Sequence, residues 1–351
     1  MRRLFRFLIV VCGTVMGAYT LAMGVYAVAS TRAEVPSEPA DASEAKQSLE
    51  RLGIVAQYPF ANGFVPTPHG RMHYAEVGSG APVLLLHGNL TWSFVYRDVM
   101  TGLAPRARLI APDLIGFGLS EKLARAEDYS VEGHVEDVSA LIRALDLRDL
   151  TLVVHDWGGP IGLGVLMRER ERVSGLVVLN TFDFEPGLPA ESLATSLALR
   201  SARAPVLGEQ LVQGLGLFQR SALPEEKSDE RAYAQVQGGW RERAGTLAFT
   251  RLIPTAADDP TAALLAQASD VLASAPPRAL IVWGMKDAFF GRAALDAWKS
   301  RLPAARVVEL AEDGRLLPER SAAAIVKAVE EFLAEQGEPT KSAARLAERR
   351  G

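Results

Sequence analysis

Along most of the chain, short apolar runs alternate with longer stretches whose apolar residues recur at helical spacing. Arg71–Val77 alternates as a half-buried strand does, and Gly78-Ser79-Gly80 follows as a turn. Apolar runs at Val83–Leu86, Leu109–Ala111, Leu150–Val154, Leu176–Leu179, Leu280–Trp283 and Val307–Leu310 each predict a strand. Val131–Leu145, Ile161–Arg170 and Ala322–Leu333 predict helices. Strands that are apolar throughout and separated by helices belong to a parallel sheet covered on both faces, so the fold class is α/β. From 184 to 277 the rhythm breaks: spacing is helical, Ala and Leu abound, and no strand is legible. That stretch reads as a helical cap inserted into an α/β core.

The two ends follow other patterns. MRRLFR carries three arginines, and Phe7 to Thr31 then runs without a charge, long enough to cross a bilayer. Arginines on the cytoplasmic side would send the rest of the chain outward. An uncleaved anchor would hold the globular part at the membrane, outside the cytoplasm. A cleaved signal peptide, with Ala27-Val28-Ala29 as a small-x-small site, would release a secreted or periplasmic form. Residues 32–50 are rich in Pro, Ala and Glu and read as a tether. The expected organisation is therefore an anchor or signal over 1–31, a linker over 32–55, and a first core part over 56–183. The cap over 184–277, a second core part over 278–336 and a polar tail over 337–351 complete it.

Composition narrows the chemistry. With 48% hydrophobic residues a sizeable core can form. The net charge is −4 with no basic stripe, which argues against nucleic acid as a partner. One cysteine, Cys12, excludes an internal disulfide and a Cys-His metal site. No metal and no cofactor is implied.

In open parallel sheets the ligand site lies at the carboxyl ends of the strands. Asn89, Asp156, Asn180, Asp287 and Arg315 all fall there. In TLVVHDWGGPIGLG (151–164) a buried strand stops abruptly and small residues let a helix begin at once, which is the shape of a nucleophile elbow with Asp156 at its tip. A carboxylate there can attack an sp3 carbon and form an ester. Its plainer role would be to cap the helix. Likewise Trp157 could be core packing, Asn89 a turn residue and Asp287 an exposed loop aspartate.

HGNLTWSFVYRD (87–98), DLIGFGLSEK (113–122) and VVHDWGGPIG (154–163) together resemble the haloalkane dehalogenases, a subfamily of the α/β-hydrolase fold. LNTF (179–182), WRERAGTLAFTRLIP (240–254) and WGMKDAFFG (283–291) fit the same family, over about 58–335. The resemblance implies that Asp156 is the nucleophile, attacking a halogenated alkane or a similar apolar electrophile. Trp157 would point its indole N–H at the departing halide, and Asn89 would add a side-chain amide. Their backbone N–H groups would form the oxyanion hole. Asp287 would orient the catalytic histidine, with Asp183 a weaker rival.

That histidine is missing. The family pattern after the last strand is Gly-His, then apolar residues and an acidic run; here it reads Gly314-Arg315-Leu316-Leu317-Pro318-Glu319. Among the other histidines, His87 and His155 flank the motifs, His69 and His73 lie on the first hairpin, and His134 begins what reads as a surface helix. None stands at a suitable strand end. Arginine is always protonated and cannot take a proton from water. Displacement by Asp156 needs no base, but hydrolysis of the ester does. Arg315 would pair with Asp287 or reach toward Asp156. The expected function is therefore dehalogenase-like with an impaired second step. An epoxide hydrolase-like enzyme is one alternative, although 184–277 holds only Tyr233 where that class uses two cap tyrosines. A catalytically inactive, membrane-tethered binding protein is the other.

Overall fold

The computed structural model describes residues 17, 21, 24, 38–187, 193–216, 232–233 and 239–337. Eight strands form one sheet: β1 (Ala61–Thr67), β2 (Gly70–Val77), β3 (Pro82–Leu86), β4 (Arg108–Pro112), β5 (Leu150–Asp156), β6 (Val173–Thr181), β7 (Arg278–Gly284) and β8 (Arg306–Leu310). Their spatial order is β1-β2-β4-β3-β5-β6-β7-β8. β1 and β2 form an antiparallel hairpin and β2 joins β4 antiparallel; every later pairing is parallel. The central strands β3, β5 and β6 are buried on both faces, as their uninterrupted apolar runs require.

Strand parity sorts the core into two layers. Leu84, Leu86, Leu152, Val154, Val178 and Ile281 face one way, toward α3 (Val131–Ala144), α4 (Gly158–Arg168) and α8 (Arg292–Arg301). Val83, Leu85, Val153, Val177 and Val282 face the other, toward α2 (Arg97–Leu103) and α9 (Ala322–Gly337). Between β6 and β7 lie α5 (Leu193–Arg203), a π-helical turn at Glu209–Gly214, α6 (Ala244–Arg251) and α7 (Pro260–Ser274). No strand occurs there among the described residues, as the helical spacing predicts.

Three sequence expectations are corrected. The tether reading fails over Ala42–Leu52, which is a helix, α1. Asp41 caps it by accepting from the N–H groups of Ser43 and Glu44, and Gly53 ends it at φ 73. Ala45 and Leu49 bury its inner face in the core. His134 does not begin a surface helix: it is 2% exposed, against Phe249 of α6 at 4.9 Å between ring centres. The third concerns the membrane. A span needs about 20 consecutive apolar residues in one helix. Among the described residues no helix is long and apolar enough to cross a membrane, so the anchor and the placement outside the cytoplasm that it carried find no support there. The apolar segment itself lies almost wholly outside the described residues, as does the expected polar tail from 338 on.

Candidate active site

The elbow forms because β5 ends against small residues. Asp156 adopts φ 51, a left-handed conformation that a side-chain-bearing residue seldom takes. The β5–β6 register shifts between His155 and Asp156, and the Thr181 hydroxyl donates to the Asp156 carbonyl at 2.5 Å. Space is made by glycines on both sides. A Cβ on Gly88 would lie 2.2 Å from the Cβ of Asp156, and one on Gly158 would lie 2.2 Å from the Leu86 carbonyl oxygen. Helix α4 starts directly behind, so Asp156 sits at a helix N-terminus, where negative charge is favoured.

The Asp156 carboxylate is 2% exposed and held at both oxygens. Oδ1 accepts from the backbone N–H of Asn89 at 2.9 Å and of Trp157 at 2.8 Å. Oδ2 accepts from Arg315, from Nη2 at 2.6 Å and from Nε at 3.1 Å. Burial is the largest influence and pushes the Asp156 pKa up, but the Arg315 charge and hydrogen bonds together with the Asn89 N–H outweigh it, so the carboxyl titrates below its ordinary value. Arg315 thus chooses Asp156 over Asp287. Its guanidinium carbon lies 4.4 Å from the ring centre of Phe289, and its side chain is 22% exposed. Nη1 of Arg315 makes no hydrogen bond among the described residues.

Around this charged pair the wall is aromatic. Trp157 stacks on Phe249 at 4.8 Å and leans on Phe182 at 4.7 Å. Phe249 stacks in turn on Phe117 at 4.8 Å, so helix α6 roofs the elbow. The Trp157 indole N–H has no hydrogen-bond partner among the described residues. The Asn89 side-chain amide donates to the Thr246 carbonyl at 3.3 Å, which leaves its second N–H for another acceptor.

Asp287 is 3% exposed and pinned by neutral donors. Its Oδ1 accepts from the N–H groups of Phe289 and Phe290, and its Oδ2 from Asn180 Nδ2 at 2.9 Å. Asn180 also accepts from the Gly284 N–H at 2.7 Å, locking the ends of β6 and β7 together. Asn180 therefore holds Asp287 rather than replacing it; its place at a strand end was the sequence signal. Asp183, the rival acid, lies outside these contacts, and burial pushes its pKa up.

Among the described residues no histidine side chain hydrogen-bonds to the Asp156 carboxylate. His155 Nε2 donates to the Arg315 carbonyl at 2.6 Å, and its Nδ1 is buried without a partner. Burial keeps its pKa low despite nearby carboxylates, so the ring is neutral at neutral pH. His87 is committed at both nitrogens, to the Gly88 carbonyl and the Leu114 N–H. His73 bridges Asp113 and Asn62, and His69 meets Asp137. Among the described residues there is no cluster able to hold a metal ion. Tyr233 donates to Glu319 at 2.8 Å, away from the elbow contacts.

Residues 81–319 match the sequence model of the alpha/beta hydrolase fold. The chain belongs to the α/β-hydrolase family. Among its curated relatives, this α/β-hydrolase is 36% identical over 290 residues to a cis-3-alkyl-4-alkyloxetan-2-one decarboxylase of Shewanella oneidensis, covering 79% of this chain and 89% of that protein. It is 37% identical over 256 residues to a haloalkane dehalogenase of Mycobacterium marinum, covering 69% of this chain and 83% of that one. The crystal structure of haloalkane dehalogenase DatA from Agrobacterium tumefaciens superposes with a TM-score of 0.72 at 27% identity, covering 78% of this chain and 96% of that one. The resemblance to haloalkane dehalogenases read from the motifs is thereby borne out for this α/β-hydrolase.

Proposed function

We propose that Asp156 displaces a leaving group from a saturated carbon of an apolar electrophile, in the first place a halogenated alkane, and that the ester so formed is not hydrolysed at an enzymatic rate. The observation that carries this is the Asp156–Arg315 pair inside an aromatic wall. With Oδ1 engaged by two backbone N–H groups, Oδ2 is the attacking oxygen. Its bond to carbon forms as the carbon–halogen bond breaks, and halide leaves with the electron pair. No proton moves. The Trp157 indole N–H and the spare Asn89 amide N–H are the donors available to the halide. Hydrolysis would next require a water to lose a proton, and Arg315 cannot accept it. Losing a general base typically costs about 100- to 10,000-fold.

A second electrophile suits the same oxygen. In a 3,4-dialkyloxetan-2-one, attack by Asp156 on C4 breaks the C4–O bond and leaves a carboxylate on the substrate. Loss of carbon dioxide then returns an electron pair to form the alkene as the C4–Asp156 bond breaks. Nothing in that sequence needs a base, which is what a site with arginine at 315 can offer.

Intact mass of the full chain after incubation with a bromoalkane tests the first step. A stable gain of one alkyl group with one equivalent of bromide, absent in Asp156→Asn, is expected. Bromide release over many equivalents would show that hydrolysis proceeds after all. Neither mass gain nor bromide, together with no alkene from the oxetanone, would leave the pocket with a binding role only.

A further inference from the structure

We infer that Arg315 is a carboxylate-recognition residue, so that the electrophile this site takes carries a carboxylate, or develops one, beside the carbon that Asp156 attacks. The inference rests on the displacement reading and names its substrate class. Among the described residues the Arg315 guanidinium is the one fixed cation in contact with Asp156. It spends Nε and Nη2 on a single oxygen, Oδ2. That is a poor use of a planar fork built for two oxygens at once. The Nη1–Nη2 edge, with Nη1 unbonded among the described residues, is the edge that receives a carboxylate in bidentate fashion. Phe289 supports the flat face of the group, its ring centre 4.4 Å from the guanidinium carbon. Arg315 is also partly open, at 22% side-chain exposure, whereas Asp156 is sealed at 2%. An incoming anion therefore meets the arginine before it meets the nucleophile.

The pairing has a consequence for reactivity. While Arg315 holds Oδ2, the lone pairs that would attack carbon are tied up in charge-assisted hydrogen bonds. A substrate carboxylate on the Nη1–Nη2 edge competes for the same charge and loosens that hold. Neutral alkyl halides offer nothing in exchange. With a bromoalkanoate the balance is simple: the C–Br bond breaks, the C–O bond to Asp156 forms, bromide departs and the carboxylate stays on Arg315. With an oxetanone, the carboxylate released by ring opening is taken up in the same way.

Hexanoate, which cannot alkylate, is the binding probe, with hexan-1-ol as its neutral counterpart, measured calorimetrically on the full chain. Hexanoate should bind more tightly than hexanol, and Arg315→Gln should weaken hexanoate by about 10- to 100-fold while leaving hexanol unchanged. Asp156→Asn removes the competing anion, so hexanoate should then bind more tightly than to the native chain. Equal binding of acid and alcohol, or hexanoate indifferent to both substitutions, overturns the inference. Alkylation by 3-bromopropanoate should outpace alkylation by 1-bromopropane; equal rates would sink the inference and leave the displacement reading intact. No alkylation by either compound, with hexanoate binding still dependent on Arg315, would keep the carboxylate site and sink the displacement reading instead.

Discussion

Two residues decide what this elbow can do. Asp156 has the geometry the proposed attack requires: left-handed backbone, one oxygen on two backbone N–H groups and the other on Arg315. Arg315 ties the other oxygen, and on the proposed reading it stands where a base would activate water. Asp287 and Asn180 remain assembled behind it, with Asp287 held by Phe289, Phe290 and Asn180 and paired with no cation among the described residues. On the proposed reading this is the frame of an oriented base with arginine in the base's place. Arg315→His should restore the second step. Bromide release from a bromoalkane is expected to pass from one equivalent to many, and the alkylated mass to become transient, with an ester-hydrolysis gain of about 100- to 10,000-fold. If the variant still stops at one equivalent, something other than the missing base blocks hydrolysis.

At the scale of elements, what could be read beforehand followed the strength of the local signal. β3, β5 and β6 are apolar on both faces and flanked by turn residues, so their runs stood out. α1 did not, because the composition of 32–50 spoke for a tether. The signal was nonetheless present: Asp41 with Glu44 three residues on, Ala45, Leu49 and Leu52 at helical spacing, and Gly53 behind them. Asn180 was seen at a strand end, but its bond to Asp287 joins residues 107 apart, which no local pattern encodes. The bond from Arg315 to Asp156 spans 159 positions, and the sequence left it open between two carboxylates. Docking of α1 is directly testable. Leu49 is 2% exposed in the layer that holds Tyr58, Phe94 and Leu85. Leu49→Ala should lower stability by about 2–5 kcal/mol in urea unfolding, as buried leucines do. A change within about 0.5 kcal/mol, the range of surface substitutions, would mean that the segment is a tether after all.

For the molecule as a whole, acid sensitivity should come more from a histidine than from Asp156. Asp156 has a folded pKa below its ordinary 3.8, so the stability it contributes is complete above that value and is lost only as pH falls through the lower, folded one. His134 acts earlier. Both of its ring nitrogens are buried without partners, between Tyr129 and Phe249 under the roofing helix α6. Burial is the main cause that takes its pKa from 6.5 to about 3, with His87 and His69 adding to it. The unfolded chain then binds a proton that the folded chain refuses throughout the interval from 6.5 down to about 3, so stability falls as pH drops through it. At two pH units below 6.5 the loss is about 2–3 kcal/mol. His87 and His155, also lowered chiefly by burial, push the same way, while Asp137 and Asp183, raised by burial, push against it. His134→Phe keeps the ring in its aromatic setting and removes the proton acceptor. Urea unfolding midpoints of the native chain and the variant should therefore diverge steadily as pH falls from 7 to 4.5, the variant holding the flatter line. Parallel lines over that range would show that His134 meets a proton or a partner in the folded state, and that the packing between α3 and α6 differs from the one described.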